Sequence, residues 1–312
     1  MEVAADGVLV VDKPAGPTSF DVVDRVRRAL GAGKAGHTGT LDPAATGVLA
    51  VCVGEAVKLQ QFLAGSDKTY DATVALGAAT DTEDADGEVV ARGDPSFLDA
   101  RAVADALAGL VGEIEQVPPM YSAVRVGGRR LYEAARAGVE LERRPRRVRV
   151  HEIRLEAFEP SDRGIARARI AVRCGKGTYV RTLAAELGRR LGVPAHLEAL
   201  RRTAAGTFTI DEALPLDRAL ALARDGALLA RLVPMAEALR HLPAVRLAPA
   251  EVAAVVQGRL LARRAPGPLC RALDGAGRLV AVLAPDASGE RVRPVRVLAQ
   301  PPESTGSVPR NR

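Results

Sequence analysis

Two apolar runs, Gly7 to Val11 and Gly47 to Val53, read as short core strands. Between them lies a segment crowded with Gly, Thr and Pro: Gly36-His37-Thr38-Gly39-Thr40-Leu41-Asp42-Pro43-Ala44-Ala45-Thr46-Gly47. Its glycines permit backbone angles that other residues avoid. Pro43 fixes the chain just after the segment's single carboxylate and removes one N–H donor. Two readings follow. One is an ordered loop, held between core elements, that presents an acid and an imidazole to a cleft. The other is an Asx-type turn in which Asp42 satisfies nearby backbone donors. Spacing alone does not choose between them.

Further along, the pattern mixes strands and helices. Thr18 or Ser19 caps a helix with apolar positions Phe20, Val23, Val26 and Leu30, ended by Gly31-Ala32-Gly33. Helices are expected over Glu55 to Leu63, over Asp99 to Leu110, and over Thr178 to Leu191, where Gly192 closes the last. Strands are expected over Tyr70 to Leu76, Arg147 to Phe158 and Ile165 to Arg173, the last two joined by the polar turn Glu159 to Gly164. Tyr121 to Val126, Gly127-Gly128 and Arg130 to Ala137 read as strand, turn and short helix. No regular strand–helix–strand repeat exists, which predicts an α+β fold: a mixed, largely antiparallel sheet with flanking helices. Pro243 marks a boundary, giving a large domain over 1–242 and a small β-rich module over 243–300. That module reads as a helix, Pro249 to Gln257, then strands at Cys270 to Leu273, Arg278 to Ala284 and Val292 to Leu298. Residues 301–312 are expected to be a disordered tail.

Length supports this division, since 312 residues suit one large domain and a small one. Aromatics are 3% and Trp is absent, so the core must be mostly Ala, Val and Leu. No run of eighteen apolar residues predicts a membrane span, and MEVAADGVLVVDKP does not have the pattern of a secretory signal. Cys52, Cys174 and Cys270 are expected to be buried free thiols in a reducing cytoplasm, not a disulfide or zinc framework. A net charge of +6 favours an anionic partner. Nine arginines and no lysine lie between Arg125 and Arg149, opposed within that stretch only by Glu133, Glu140 and Glu142. Guanidinium pairs bidentately with phosphate and stacks on bases, so nucleic-acid contact is the reading preferred over a solvated face. Part of this stretch is expected to be mobile until phosphates neutralise it. There is no GxGxxG after a strand, no Walker loop and no HExxH, and the four histidines are scattered. The glycine-rich 31–39 segment lacks the Lys-Ser/Thr ending that a phosphate-binding hydrolase would need.

Several ordered motifs carry a resemblance. Gly36 to Lys58 (GHTGTLDPAATGVLAVCVGEAVK) is similar to the catalytic motif of the TruB family, the tRNA pseudouridine-55 synthases. Val10-Val11-Asp12-Lys13-Pro14-Ala15-Gly16-Pro17-Thr18-Ser19 resembles the family's N-terminal motif. Lys68-Thr69-Tyr70, Asp81 to Gly87 (DTEDADG), Pro118 to Ala123 (PPMYSA), Gly175 to Leu183 (GKGTYVRTL) and Leu200-Arg201-Arg202-Thr203 follow in order. Together they span about residues 7 to 210, and ordered matches are far more specific than one short pattern.

The resemblance implies a pseudouridine synthase catalytic domain followed by a PUA-like RNA-binding module. It implies isomerisation of the T-loop uridine of tRNA, with base flipping and no cofactor or metal. Asp42 is the implied essential carboxylate, as nucleophile or as base. Arg181 is implied to pair with it, and Asp84 to hold Arg181; the competing reading of Arg181 is a helix-surface arginine. Tyr70 is implied to stack on the target base where the C5 proton leaves; otherwise it is a half-buried strand tyrosine. His37 is implied to plug the stack the flipped base vacates; otherwise it is a loop histidine bonded to backbone. Tyr179 and Leu200 are implied to line the pocket, Leu200 being otherwise core. Lys13 either supports the loop or contacts RNA. The partner implied is the tRNA T-arm, with no membrane, no obligatory protein partner, a monomeric chain and a cytoplasmic location. Two rival readings are an RNA-guided synthase working in a ribonucleoprotein and a non-catalytic RNA-binding or RNA-folding protein.

Overall fold

Two kinds of strand build the large sheet of this molecule, and their sequences differ accordingly. The computed structural model describes residues 6–298 apart from 123, 124, 137, 138, 140 and 163. The tail expected over 301–312 therefore lies outside the described residues, as do Ala123, Val124 and Ala137 of the expected strand and helix, and Glu140. In chain order the elements begin β1 (Gly7–Lys13), α1 (Ser19–Ala29), β2 (Ala35–His37), β3 (Thr46–Val53), α2 (Gln60–Leu63) and β4 (Lys68–Leu76). A hairpin of β5 (Ala78–Thr80) and β6 (Val89–Arg92) follows, then α3 (Ala100–Ala108), β7 (Gly112–Gln116) and a second hairpin, β8 (Arg125–Val126) and β9 (Arg129–Arg130). Next come α4 (Leu131–Arg136), β10 (Arg146–Glu159), β11 (Ala166–Cys174), α5 (Val180–Leu191), β12 (Ala195–Ala205), β13 (Phe208–Thr209) and β14 (Leu214–Pro215). The chain ends with α6 (Leu216–Arg224), α7 (Met235–Ala238), β15 (Ala244–Arg246), α8 (Pro249–Val256), β16 (Cys270–Leu273), β17 (Leu279–Pro285) and β18 (Val292–Val297).

A ten-stranded sheet runs β14-β1-β3-β12-β4-β11-β10-β7, with β2 added to β3 and β13 to β12. It is mixed but largely antiparallel, as expected; the parallel contacts are β1–β14 and β3–β12. The first kind of strand is buried on both faces. Val8 and Val10 of β1, with Val48, Ala50 and Cys52 of β3, join one core cluster. Leu9, Val11, Leu49, Val51 and Val53 join another, beneath α1 and α6. Such strands read as continuous apolar runs. The second kind is buried on one face. In β11, Ala166, Ala168, Ile170, Val172 and Cys174 are buried against α3 and α5, while Arg169 and Arg173 face solvent. This is the period-two alternation of a half-covered sheet.

The two halves meet at a seam. β3 and β12 pair over only two positions, Arg201 with Thr46 and Arg202 with Gly47. Gly47 has a φ of +100°, and a Cβ there would stand 2.2 Å from the carbonyl oxygen of Arg202. Only glycine lets the backbones approach this closely.

A separate four-stranded sheet, β15-β16-β17-β18, forms near the C-terminus. Its middle strand β17 is buried on both faces. Leu279 and Val282 share the cluster containing Val8 and Val48, while Val280, Ala281 and Leu283 pack with Val255 of α8. The small sheet is thus docked on the large one through apolar contact. Among the described residues, no helix is long and apolar enough to cross a membrane, and Cys52, Cys174 and Cys270 are free and buried.

Several local expectations needed correction. Phe20 is 74% exposed, and the buried stripe of α1 is Ser19, Val22, Val23 and Val26. Ser19 turns inward because it bonds to Leu41, which rotates the helix by about one position from the apolar pattern. The segment expected as helix over Glu55 to Leu63 opens as a 3₁₀ turn over Gly54–Leu59. Among the described residues between Tyr121 and Val126, strand pairing is confined to β8. Strand β12, central to the sheet, was not anticipated at all, because Glu198, Arg201 and Arg202 interrupt its apolar pattern. The strand expected from Arg147 starts one residue earlier: Arg146, Arg147 and Arg149 are laddered on β7, opposite Gln116, Glu115 and Glu113.

Candidate active site

Asp42 lies in the loop that links β2 to β3, beside the seam. Four groups hold that loop, all acting on its backbone. Ser19 donates from Oγ to the carbonyl of Leu41 and accepts from its N–H, both at 2.8 Å. The N–H of Gly16 donates to the carbonyl of Pro43 at 2.9 Å. Lys13, wholly buried at the end of β1, sends its ammonium to the carbonyls of Pro14, Pro43 and Ala45 at 3.0, 2.9 and 2.8 Å. Those bonds use all three of its donors, so Lys13 supports the loop and has none left for RNA. Arg202, 2% exposed, spans the seam: Nε donates to Val48 at 2.7 Å, and its two terminal nitrogens donate to Thr40 at 3.2 Å and Gly39 at 3.0 Å.

Arg181 reaches the acid from the first turn of α5. Tyr179, the residue before the helix, is fixed by Gln116, whose side-chain amide both donates to and accepts from its backbone at 3.2 and 3.0 Å. Gly192 ends the helix in the left-handed conformation. Arg181 is only 4% exposed. One of its terminal nitrogens lies 3.2 Å from Asp42 Oδ2 and donates to the Tyr121 carbonyl at 2.7 Å. The other donates to Asp84 Oδ2 at 3.1 Å and the Thr82 carbonyl at 3.2 Å. A charge is buried this deeply only when paired and hydrogen-bonded. The helix-surface reading of Arg181 is therefore excluded.

The electrostatics pull in opposite directions. Burial raises the Asp42 pKa above the ordinary carboxylate value, while Arg181 opposes the rise; Asp84 and Asp86 add to it and Lys13 subtracts. Its side chain is still 43% accessible. The carboxylate is enclosed by low-dielectric protein on most sides and open to the cleft on one, which reconciles its accessibility with the raised pKa. Burial brings Lys13 down to about 8, against the pull of Asp42. His37, at the end of β2, is held below its usual pKa by burial and by Arg202, which favours the neutral imidazole. Its Nδ1 is buried without a hydrogen-bond partner, and its carbonyl accepts from Gln60 at 2.9 Å. Tyr70 of β4 is buried, and burial raises its phenol pKa so that it keeps its proton.

The remaining sequence candidates are less central. Leu200 is half-buried on β12, beside Ala72, and packs against the core under α3 and α5. Tyr179 is placed by Gln116 at the start of α5. A concavity of about 560 Å³ lined by Asp71, Thr73, Arg169, Ala171 and Arg201 lies on the opposite face of the sheet from Tyr70, as the β4 alternation requires. At Asp42, by contrast, the acid meets the buried Arg181 at 3.2 Å. Among the described residues, no three His, Cys, Asp or Glu side chains are grouped to hold a metal ion. Arg202 was quoted only as part of a motif, and its role was not foreseen. An arginine paired with carbonyls across a seam leaves no sequence signal until the seam is known.

Comparison with known proteins agrees with this geometry. Residues 27–180 match the profile of the TruB family pseudouridylate synthase N-terminal domain, and residues 181–240 that of the tRNA pseudouridylate synthase B C-terminal domain. The chain is 54% identical over 253 residues to the tRNA pseudouridine synthase B of Symbiobacterium thermophilum, covering 81% of this chain and 82% of that protein. It is 46% identical over 297 residues to the same-named protein of Azoarcus sp. strain BH72, covering 94% and 95%. Among solved structures, a chain of a Cbf5-Nop10-Gar1 complex aligns with a TM-score of 0.74 at 28% identity, covering 96% of this chain and 87% of that one. On these matches, the chain belongs to the TruB family of pseudouridine synthases.

Proposed function

We propose that this protein isomerises the T-loop uridine at position 55 of tRNA to pseudouridine, working as a monomer in the cytoplasm without an obligatory protein partner. The reaction is the family's, and tRNA is the substrate that the relatives' names carry. In it the N1–C1′ bond breaks and a C5–C1′ bond forms. The C5 proton leaves and N1 gains one, so the change is redox-neutral. Asp42, ionised, starts the rearrangement as nucleophile or as base. Arg181 keeps it ionised in a pocket that the base would desolvate. Tyr70 stacks on the flipped base, whose Watson–Crick edge extrusion exposes. His37 fills the vacated stack, and Tyr179 and Leu200 line the pocket. Residues 243–298 act as the PUA-like module on the RNA, and the arginines of β8 to β10 neutralise phosphates.

The observation that carries this reading is the buried Arg181 gripping Asp42 at 3.2 Å and Asp84 at 3.1 Å. The test is to incubate the purified chain with unmodified tRNA transcript and map pseudouridine at nucleotide resolution. Product at the T-loop uridine alone is expected. A second reading follows from the likeness to a chain of a multi-protein complex: an RNA-guided synthase would leave the transcript unmodified until a guide and partners were added.

A further inference from the structure

Glu83 is an oddity in its own loop. Among the described residues it is the one non-glycine with positive φ, at +64°. The left-handed region is disfavoured for any residue with a Cβ. Such outliers persist where the surroundings over-determine them, and these surroundings do. The Glu83 carbonyl accepts from Leu197 N–H at 3.0 Å, which pins it to β12. Thr80 Oγ1 donates to the Asp84 carbonyl at 2.6 Å and Thr82 Oγ1 to Asp84 Oδ1 at 2.5 Å. The Glu83 carboxylate turns inward and accepts from Thr182 Oγ1 at 2.9 Å. Thr182 is the residue after Arg181 on α5. The same loop therefore grips two successive residues of one helical turn.

We infer that Glu83 is a positioning residue for Arg181: its tie to Thr182 holds residue 83 left-handed, and that conformation aims the Thr82 carbonyl and the Asp84 carboxylate at one guanidinium nitrogen. In an extended or right-handed conformation at residue 83, the carbonyl before it and the side chain after it would diverge, and Arg181 would lose two of its four acceptors. Turning a carboxylate inward to accept from a hydroxyl costs desolvation. Burial raises the Glu83 pKa, opposed by Thr182, Arg181 and Arg143. Relief of backbone strain gives that cost a purpose.

This inference rests on the reaction proposed above, and the test separates the two. Glu83→Ala removes the tie and keeps the strained Cβ; Glu83→Gly removes both; Glu83→Gln keeps an acceptor for Thr182. Thr182→Ala removes the tie from the helix side, where alanine is a good helix former, and serves if Glu83→Ala folds poorly. Single-turnover pseudouridine formation on saturating tRNA is followed across pH, with tRNA affinity measured separately. We expect Glu83→Ala and Thr182→Ala to slow the rate about tenfold or more, with affinity held within about threefold, the pattern of an interaction made only in the transition state. Their acid limb should also move to higher pH, because an Arg181 that wanders lowers the Asp42 pKa less; the groups facing Asp42 are Arg181, Asp84, Lys13 and Asp86. Glu83→Gly and Glu83→Gln should restore both rate and limb. Wild-type rate and acid limb in Glu83→Ala or Thr182→Ala would overturn the inference, as would a Glu83→Gly variant as defective as Glu83→Ala. An inactive wild type would instead overturn the proposed reaction.

Discussion

The seam between β3 and β12 and the small sheet β15–β18 are both well buried, but by opposite means. The small sheet is covered by apolar side chains on both faces of β17. Every one of those side chains is stabilised by leaving water, and none needs a partner. The seam holds Lys13, Arg181 and Arg202, each at most 4% exposed, and each kept there by carbonyls or carboxylates at hydrogen-bond distance. Burying such charges costs free energy that packing would not. What the seam gains is direction. Its hydrogen bonds hold the Asp42 loop in one place, whereas an apolar contact would tolerate small shifts. The difference teaches where to look for chemistry in this fold: where the strands separate and the interior turns polar.

That contrast can be broken by mutation. Arg181→Met should have the largest effect. It strips Asp42 and Asp84 of their shared cation, which should cost about 3–5 kcal/mol of stability and slow single-turnover rates by about a hundredfold or more. Thermal melting and rapid-quench assays on saturating tRNA measure the two. A rate near wild type would remove Arg181 from the chemistry. Gly47→Ala should come next. With its Cβ 2.2 Å from the Arg202 carbonyl and φ at +100°, the seam has to open. About 2–3 kcal/mol of destabilisation and at least a tenfold slower rate are expected. Leu283→Ala in the small sheet should destabilise by a similar amount, about 2–5 kcal/mol, yet leave the rate at saturating tRNA within about twofold. If Leu283→Ala and Gly47→Ala slowed the reaction equally, the division between an aimed seam and a merely packed sheet would fail.

The same contrast decided what could be read from the sequence. The helix at Pro249 and the strands at Cys270, Leu279 and Val292 followed from short apolar runs and turn residues, because apolar burial is a local pattern. β11, whose buried Ala166, Ala168, Ile170, Val172 and Cys174 alternate with less buried residues, was legible for the same reason. β12 was not, because its charges Arg201 and Arg202 are satisfied by Asp12 and by the Gly39 loop, more than 150 residues away in sequence. Long-range polar pairing leaves no periodicity. Arg181 and Asp84 were likewise named only through resemblance to a family; from the residues alone Asp42 was as readily a turn acid as a cleft acid, and Arg181 read as a surface arginine. Their meaning appears once the fold brings positions 42, 84 and 181 together. Phe20 fails in the instructive direction, since a single polar tie from Ser19 to Leu41 outweighed an aromatic side chain in setting the helix face.

The central claim is that Asp42, ionised against its own burial by Arg181, performs the isomerisation. The most direct measurement is single-turnover pseudouridine formation by wild type and Asp42→Asn across pH, with tRNA affinity measured on both. Burial raises the Asp42 pKa. Wild-type activity should therefore fall as pH drops through a value above that of an ordinary aspartate, and hold on the alkaline side of it. Linkage has the opposite sign for stability: a folded pKa above the unfolded one means the folded state binds the proton more tightly, so stability is lost as pH rises through that window, and Asp42→Asn should not lose it. The account predicts no product from Asp42→Asn at any pH, with tRNA affinity within about tenfold of wild type, roughly 1.4 kcal/mol. Substantial turnover by a sequence-verified Asp42→Asn protein would contradict it.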